Sequence, residues 1–190
     1  MATFYNSSDI RKGLKLEIDG YPWVVVDFQF VKPGKGQAFN RVRMKNLING
    51  NTVERTYKIV ESFQAADVEE ITMDYLYQDG DGYNFMNQES FEQTSIPESV
   101  VGDAKNFLVE NMKVQVLFYN GRAVSIDLPY FVEMEITYCE PGARGNTATG
   151  TNKLATVTTG AQVGVPLFID QGEWIKIDTR TGEYVERVKR

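Results

Sequence analysis

The stretch YPWVVVDFQFVKPGKGQAFNRVRMKNL (residues 21–47) predicts two long strands joined by a narrow turn. Its first part, residues 21–31, is rich in aromatic and β-branched residues, which favour strands. The turn places Lys35 between two glycines, and Pro33 restricts the backbone that leads to it. Residues 37–47 have strand character again. The stretch therefore predicts an extended β-hairpin with one lysine at its tip.

Alternation divides the second strand of this hairpin into two faces. Val42 and Met44 lie on one face and are expected to enter a core. Arg41, Arg43 and Lys45 lie on the other face and form what we call the cationic stripe. Such a stripe can follow a phosphate backbone, because a guanidinium group binds phosphate oxygens in pairs. A solvent-exposed strand face without a ligand explains the same pattern.

The turn itself supports two interpretations. Glycines on both sides of Lys35 let the main chain approach a partner closely, and Pro33 limits the conformations that binding has to fix. One long cation on a narrow loop suits a crowded, negatively charged cleft. A surface turn that needs positive φ and a soluble side chain has the same composition. Phosphate-loop patterns do not fit, because no Gly-Lys-Ser/Thr follows and the next element is a strand.

Strand signals continue to the C-terminus, separated by turn pairs such as Asn49-Gly50 and Asn120-Gly121. Further strands are predicted over residues 52–60, 114–119, 123–128, 131–138, 163–169 and 173–178. Many short strands with frequent turns are typical of small barrels or sandwiches. One helix is predicted over residues 103–112, with Asp103 as its N-cap. The sequence thus indicates an all-β protein with one or two short helices.

Charge is unevenly distributed along the 190 residues, whose net charge is −6. Residues 1–65 contain 10 Lys and Arg against 6 Asp and Glu. Residues 66–129 contain 3 against 12, and residues 130–190 contain 7 against 8. The first segment could bind a polyanion by itself, whereas the acidic middle segment would have to face away from phosphate.

Two similar segments suggest that the later parts of the chain are related. LFYNGRAVSID (residues 117–127) and LFIDQGEWIKID (residues 167–178) both read as strand, glycine turn, strand and aspartate. A chance similarity between two hairpins gives the same pattern. Combined with the charge steps, it predicts a basic β domain at 1–65, followed by related β modules at 66–129 and 130–190.

Composition makes most catalytic classes unfavourable. The chain has no histidine and one cysteine, Cys139, so Ser-His-Asp, Cys-His, ordinary zinc sites and an internal disulfide are excluded. We expect no enzyme activity, no cofactor and no metal. A carboxylate or metal-dependent enzyme stays open through one acidic cluster: Asp67, Glu69, Glu70, Asp74, Asp79 and Asp81. Without a signal-peptide pattern or a long apolar run, a cytoplasmic location without membrane contact is expected.

The chain resembles the bacterial elongation factor P family over essentially its whole length, and four stretches carry the resemblance. They are SSDIRKGLKLEIDG (7–20), FVKPGKGQAF (30–39), ADVEEITMDYLYQDGDGYNFMNQESFEQ (66–93) and VPLFIDQGEWIKIDTRTGEYVERV (165–188). The tip motif is short, but its combination with the last stretch is specific. Two-domain archaeal and eukaryotic relatives lack the third module, so the resemblance is to the bacterial factor.

The resemblance implies a fold of three small β-barrels in an L-shaped, tRNA-like arrangement: a KOW/SH3-like barrel followed by two OB-folds. It implies a monomeric translation elongation factor that contacts both ribosomal subunits between the P and E sites. There it would contact P-site peptidyl-tRNA, stimulate peptide-bond formation and relieve stalling at consecutive prolines. A generic single-stranded RNA-binding OB/KOW protein is the alternative.

The resemblance also implies roles for individual residues. Lys35 occupies the position that the family modifies, and its context favours β-lysylation by a lysyl-tRNA-synthetase-like ligase, with hydroxylation left open. The residues implied to contact tRNA are Lys32, Pro33, Gly34, Lys35, Gly36, Gln37, Arg41 and Arg43. The chain also has a loop implied to approach the small subunit near the codon: Gly145, Asn146 and Thr147. Asn146 stands where the family commonly has Asp, which keeps an acceptor, adds a donor and removes a charge.

Overall fold

The computed structural model describes residues 1–141 and 152–190. The N-terminal segment forms strands β1 (Phe4–Asn6), β2 (Lys15–Ile18), β3 (Tyr21–Val31), β4 (Phe39–Asn46), β5 (Thr52–Lys58) and β6 (Ser62–Ala65). They make a six-stranded sheet in the order β1-β6-β2-β3-β4-β5. A 3-10 turn, Ser7–Asp9, follows β1, and the Asn6 amide donates to the Asp9 carboxylate at 2.8 Å. β3 has the bounds that its composition predicted.

The core of this sheet forms on one face of the β3–β4 hairpin. Val42 and Met44 have no exposed surface, which confirms the predicted alternation of β4. Leu16, Val25 and Phe63 pack in the same cluster. Burying these side chains is the main source of stability for such a small sheet, because its apolar surface leaves water.

The middle segment forms strands β7 (Val68–Gln78), β8 (Tyr83–Asn87), β9 (Gln93–Ile96), β10 (Lys113–Tyr119) and β11 (Arg122–Asp127), and a short helix α1 (Glu98–Val101). The last segment forms β12 (Phe131–Cys139), β13 (Asn152–Val157), β14 (Gln162–Pro166), β15 (Trp174–Asp178) and β16 (Glu183–Val188). Their sheets have the orders β11-β10-β7-β8-β9 and β14-β13-β12-β15-β16. Numbered from the first strand of each segment, the middle sheet has the order 5-4-1-2-3, and the last sheet has the same order when it is read from the β16 edge. β14 also contacts β16, which brings the two edges of the last sheet together.

The chain is therefore an all-β protein with three sheets, as predicted, and the sheets are consistent with a KOW-like barrel and two OB-folds. The contacts between residues group the chain into two compact units. The first contains residues 1–71 and 117–125, and the second contains residues 72–116 and 126–190. The division into 1–65, 66–129 and 130–190, and the L-shaped arrangement, stay predictions. Among the described residues, no helix is both long and apolar enough to cross a membrane.

The helix predicted over 103–112 is wrong. Asp103 lies inside a 3-10 turn, Gly102–Asn106, and Asn111 has a φ of +66° that no α-helix contains. The main chain bonds to β7 instead: the Asn111 amide donates to the Tyr75 carbonyl, and the Tyr75 amide donates to the Met112 carbonyl. Leu108 and Met112 are buried, as the helical pattern suggested, but they are held by a loop.

The two segments of the predicted repeat, residues 117–127 and 167–178, do not form the same secondary structure. Residues 117–127 contain the end of β10, a turn and β11, as read from the sequence. In the second copy, residues 167–173 contain no strand, and only β15 matches. The middle and last parts of the chain are nevertheless alike in the strand order of their sheets, which the sequence repeat did not indicate.

Cys139 is enclosed in the last sheet. It ends β12 and is 8% exposed, and its thiol donates to the carbonyl of Ile169 at 3.8 Å. The side chain acts as a small apolar core residue.

Candidate nucleic-acid interface

The predicted tip is a seven-residue loop, residues 32–38, between β3 and β4. Val31 and Phe39 are the last paired residues beneath it. The side chains of Lys32, Lys35 and Gln37 are exposed. Within residues 1–141 and 152–190, Lys35 makes no salt bridge. The ammonium group at the tip is therefore open to a partner.

The two glycines of the loop differ in backbone conformation. Gly36 has a φ of +111°, a region that side chains disfavour, so the turn itself requires glycine there. The φ of Gly34 lies outside that region, and a Cβ built on Gly34 would meet nothing within 4 Å. The expectation that the turn needs positive φ thus holds for Gly36 alone.

A β-bulge at Val26 decides which side chains of β3 face the cationic stripe. Val25 pairs with Met44, but the next paired residue is Asp27, opposite Arg43. The extra residue reverses the alternation from there on, so that Phe28 pairs with the buried Val42, although Phe28 itself is 39% exposed. Strict alternation of β3 would have placed Asp27 inward, and sequence analysis therefore missed it as a neighbour of the stripe.

Carboxylates accompany the arginines of the cationic stripe. Arg41 and Arg43 are exposed, as predicted. Arg43 lies between Asp27 and Glu54 in the sheet, and the Arg41 Nε is 3.7 Å from a Glu54 carboxylate oxygen. A shallow depression of about 160 Å³ lies here, lined by the residues Asp27, Phe28, Gln29, Arg41, Arg43 and Glu54. The stripe is thus partly neutralised, unlike the tip.

A buried polar contact supports the hairpin directly below the loop. The Asn40 side-chain amide donates to the Ser7 carbonyl at 3.2 Å and to the Ser7 hydroxyl at 3.1 Å. Both residues are buried, so the bonds are shielded from water. Beside Asn40 in β5 lies Tyr57, and burial raises the pKa of its hydroxyl. Period-2 alternation puts Asn40 on the same face as Val42, but the sequence does not indicate this contact, because Ser7 is 33 residues away.

The other predicted sites lie in later parts of the sequence. Gly145, Asn146 and Thr147 lie outside the described residues. In the acidic cluster, Asp79 accepts hydrogen bonds from the Asp81 amide and from Asn84, and these bonds lower its pKa. In the described part of the chain, no group of three or more Asp, Glu or Cys side chains is arranged to hold a metal ion. The carboxylate of Asp79 instead stabilises a turn.

Family models match nearly the whole chain in three consecutive parts. Residues 6–63 match "Elongation factor P (EF-P) KOW-like domain". Residues 68–126 match "Elongation factor P (EF-P) OB domain". Residues 132–187 match "Elongation factor P, C-terminal".

Whole-chain relatives agree with these matches. Elongation factor P of Bdellovibrio bacteriovorus is 50% identical over 186 residues, covering 98% of this chain and 99% of the relative. Elongation factor P of Desulforapulum autotrophicum is 52% identical over 184 residues, covering 97% and 98%. A translation initiation factor eIF-5A family protein from Naegleria fowleri is similar in fold, with a TM-score of 0.53 and 16% identity. That match covers 67% of this chain and 99% of the other.

Proposed function

The chain belongs to the bacterial elongation factor P family and is a translation elongation factor, and from this we propose a specific action on the ribosome. It binds between the P and E sites, and the β3–β4 tip contacts the acceptor end of P-site peptidyl-tRNA. This contact stimulates peptide-bond formation and relieves stalling at consecutive prolines.

The observation that carries the proposal is the contrast in charge along the hairpin. Lys35 is exposed on a narrow loop and makes no salt bridge with a described residue, whereas Arg41 lies beside Glu54. A negatively charged partner therefore finds at the tip a cation that pairs with no carboxylate of the described residues. The buried Asn40–Ser7 contact holds the base of that loop, so less conformational freedom is lost on binding.

The proposed contribution to the reaction is positioning. Proline is a poor acceptor, and a displaced peptidyl-tRNA loses much of the acceleration that orientation supplies. The tip would hold the RNA end through main-chain contacts and an ammonium–phosphate contact. No side chain of this protein takes part in bond making, and no cofactor is needed.

Modification of Lys35 would extend this contact. Addition of a β-lysyl group by a lysyl-tRNA-synthetase-like ligase would carry a second amine beyond the reach of lysine alone. The exposed side chain leaves room for a ligase to reach the ε-amine. Mass spectrometry of the Lys35 peptide from the native host distinguishes β-lysylation, hydroxylation and an unmodified lysine.

The remaining predicted contacts are proposals of the same kind. Arg41 and Arg43 would contact tRNA phosphate with reduced strength, because Glu54 and Asp27 lie beside them. The loop with Gly145, Asn146 and Thr147 would approach the small subunit near the codon. The factor would act as a monomer with domains 1–65, 66–129 and 130–190.

The alternative, a generic single-stranded RNA-binding protein, requires a cationic surface with aromatic stacking groups. The carboxylates beside Arg41 and Arg43 weaken such a surface. It predicts tight binding of free RNA oligonucleotides without ribosomes. The proposed function predicts weak binding of free RNA and a strong dependence on the ribosome.

A polyproline reporter tests the proposal. Ribosomes translate an mRNA with consecutive proline codons in the presence of full-length wild type, Lys35→Ala or the control Lys12→Ala. Lys12 is also an exposed lysine, and it pairs with Asp27 away from the tip. We expect wild type and Lys12→Ala to rescue synthesis and Lys35→Ala to lose most of the rescue. Equal rescue by all three proteins would contradict the proposed role of the tip.

A further inference from the structure

A cavity of about 260 Å³ lies where the middle and last segments meet, within the compact unit that contains residues 72–116 and 126–190. Its walls come from β7, the start of β8, the 3-10 turn at Gly102–Asn106 and the turn between β13 and β14. Beside it, the Thr159 hydroxyl donates a hydrogen bond to the Asn106 carbonyl. A ligand in this cavity would therefore contact both segments.

Two nearly buried tyrosine side chains line the cavity. Tyr75 and Tyr83 are 8% and 5% exposed, and their ring centroids are 6.1 Å apart. Within residues 1–141 and 152–190, neither hydroxyl has a hydrogen-bond partner, and neither is closed off from solvent as the Tyr57 hydroxyl is. Because an unpaired hydroxyl in a nearly buried side chain is unfavourable, these two groups indicate a ligand that accepts hydrogen bonds.

Both tyrosines can act as donors at neutral pH. Burial raises the pKa of Tyr75, and the neighbouring Tyr83 adds to the rise. The hydroxyl of Tyr75 therefore keeps its proton, and an ordinary phenol is also protonated at pH 7.

Lys105 brings a positive charge to the cavity. Its ammonium group pairs with Glu98, which raises the pKa of Lys105, and Tyr83 lies close enough to add to the rise. An ammonium group has three N–H donors, so two remain for a ligand. Among the described residues that line the cavity, Lys105 is the one charged side chain, and none is a carboxylate. The lining therefore favours an anion, although the surrounding segment is acidic.

The cavity also has an apolar side, which the two tyrosine rings and the buried Leu108 provide. A cavity of about 150 Å³ is large enough to bind benzene, so this larger one has room for a ring with a small head group. Aromatic rings pack favourably against each other when they are offset or tilted. The size and the apolar side together fit a flat ring.

We propose that this cavity binds a small aromatic carboxylate. The Tyr75 and Tyr83 hydroxyls and the Lys105 ammonium group donate to the carboxylate, and the ring packs against Leu108 and the phenol rings. The ligand bridges the middle and last segments and stabilises their contact. The site lies outside the β3–β4 hairpin and does not depend on the action proposed for the tip.

Benzoate titrated into the full-length, ¹⁵N-labelled protein tests the proposal, with benzamide as a neutral probe of the same shape. The positions of backbone amide signals are followed by NMR. We expect benzoate to shift the amides of residues 105–108 and 158–160 in a saturable way, with half-saturation on the order of 1 mM, as is usual for so small a ligand. Benzamide should need at least about tenfold more, because it lacks the charge that Lys105 recognises. Saturating benzoate should also raise the thermal midpoint.

Tyr83→Phe and Tyr75→Phe remove one hydroxyl each and keep the ring. Each should raise the half-saturating concentration of benzoate by about tenfold, because a hydrogen bond to a charged group is lost. Tyr77→Phe is the matched control: Tyr77 is also in β7, but it is 52% exposed and does not line the cavity. It should bind benzoate as wild type does.

Lys105→Gln tests the charge at a partly exposed position where folding should be unaffected. It should weaken the binding of benzoate and leave that of benzamide unchanged. Shifts that do not saturate, equal affinity for benzoate and benzamide, or wild-type affinity in both Tyr83→Phe and Lys105→Gln would each overturn the inference. A lower thermal midpoint of a tyrosine variant without ligand identifies damage to the fold, and Lys105→Gln then decides.

Discussion

The β3–β4 hairpin carries its cations in two places, the tip loop and the strand face, and their surroundings differ. At the tip, Lys35 is exposed and makes no salt bridge with any residue that the structure describes. On the strand face, Arg41 and Arg43 lie beside Glu54 and Asp27. The ammonium group at the tip is available to a partner, whereas the positive charge on the strand face is partly balanced by carboxylates of the same sheet. Equal charges in a sequence therefore need not be equally available.

The largest effect on stability is expected beneath the strand face, from Met44→Ala. Met44 has no exposed surface, so the substitution removes apolar burial and leaves a cavity that costs about 2–5 kcal/mol. Urea unfolding, followed by Trp23 fluorescence in a Trp174→Phe background, measures it, because Trp23 lies in the same core. A loss below about 1 kcal/mol would mean that this core is not the main support of the hairpin.

Asn40→Ala is expected to have the next largest effect, at the junction of strand and tip. It removes both bonds to Ser7 and leaves the buried Ser7 carbonyl with only the long bond from the Ile10 amide, at 3.5 Å, which costs about 1–3 kcal/mol. Hydrogen exchange of the amides in residues 30–40 should become faster. The exposed Asn51→Ala serves as the control. Unchanged exchange in Asn40→Ala would show that the tip is held without this contact.

Glu54→Gln removes the carboxylate that pairs with Arg41 on the strand face. The folding free energy should change by less than about 1 kcal/mol, because the ion pair is exposed. Affinity for a short RNA should rise, and the slope of log K against log salt should steepen by roughly one phosphate contact. Glu92→Gln has the same charge change outside the hairpin. If both variants bind alike, Glu54 does not screen the stripe.

Lys35→Ala should have the smallest effect on folding and still lose most of the activity. The side chain is exposed, so the free energy of unfolding should stay within about 0.5 kcal/mol of wild type. The same urea titration as for Met44→Ala measures it. A destabilisation above that range would show that Lys35 supports the loop itself. Lys35 would then differ less from Arg41 and Arg43 in its contacts within the protein.

Local sequence patterns predicted the parts of the hairpin that local forces determine. β3 and the faces of β4 follow from composition and period-2 alternation, and Lys35 at the tip follows from the flanking turn residues. The bulge at Val26 was not visible, because one extra residue in β3 is defined only against β4. The Asn40–Ser7 contact was missed for the same kind of reason, since it joins distant parts of the chain.

Elsewhere, tertiary bonding overrode local signals. Residues 103–112 have a helical spacing of apolar residues, but hydrogen bonds between β7 and the loop decide their conformation. The segments 117–127 and 167–178 look alike in sequence, yet only one is a hairpin. The likeness of the middle and last sheets lies in strand order, which no short sequence match could report.

The enclosed position of Cys139 allows an introduced cysteine elsewhere in the chain to be labelled selectively. The chain has one cysteine, and its sulfur lies inside the last sheet. A thiol introduced by Asn51→Cys, which is exposed between β4 and β5 and lies outside the residues implied to contact tRNA, would be the one that a maleimide dye reaches readily. Energy transfer from that dye to a fluorophore on the tRNA elbow would then report arrival and departure of the factor in single ribosomes, without first removing a native cysteine.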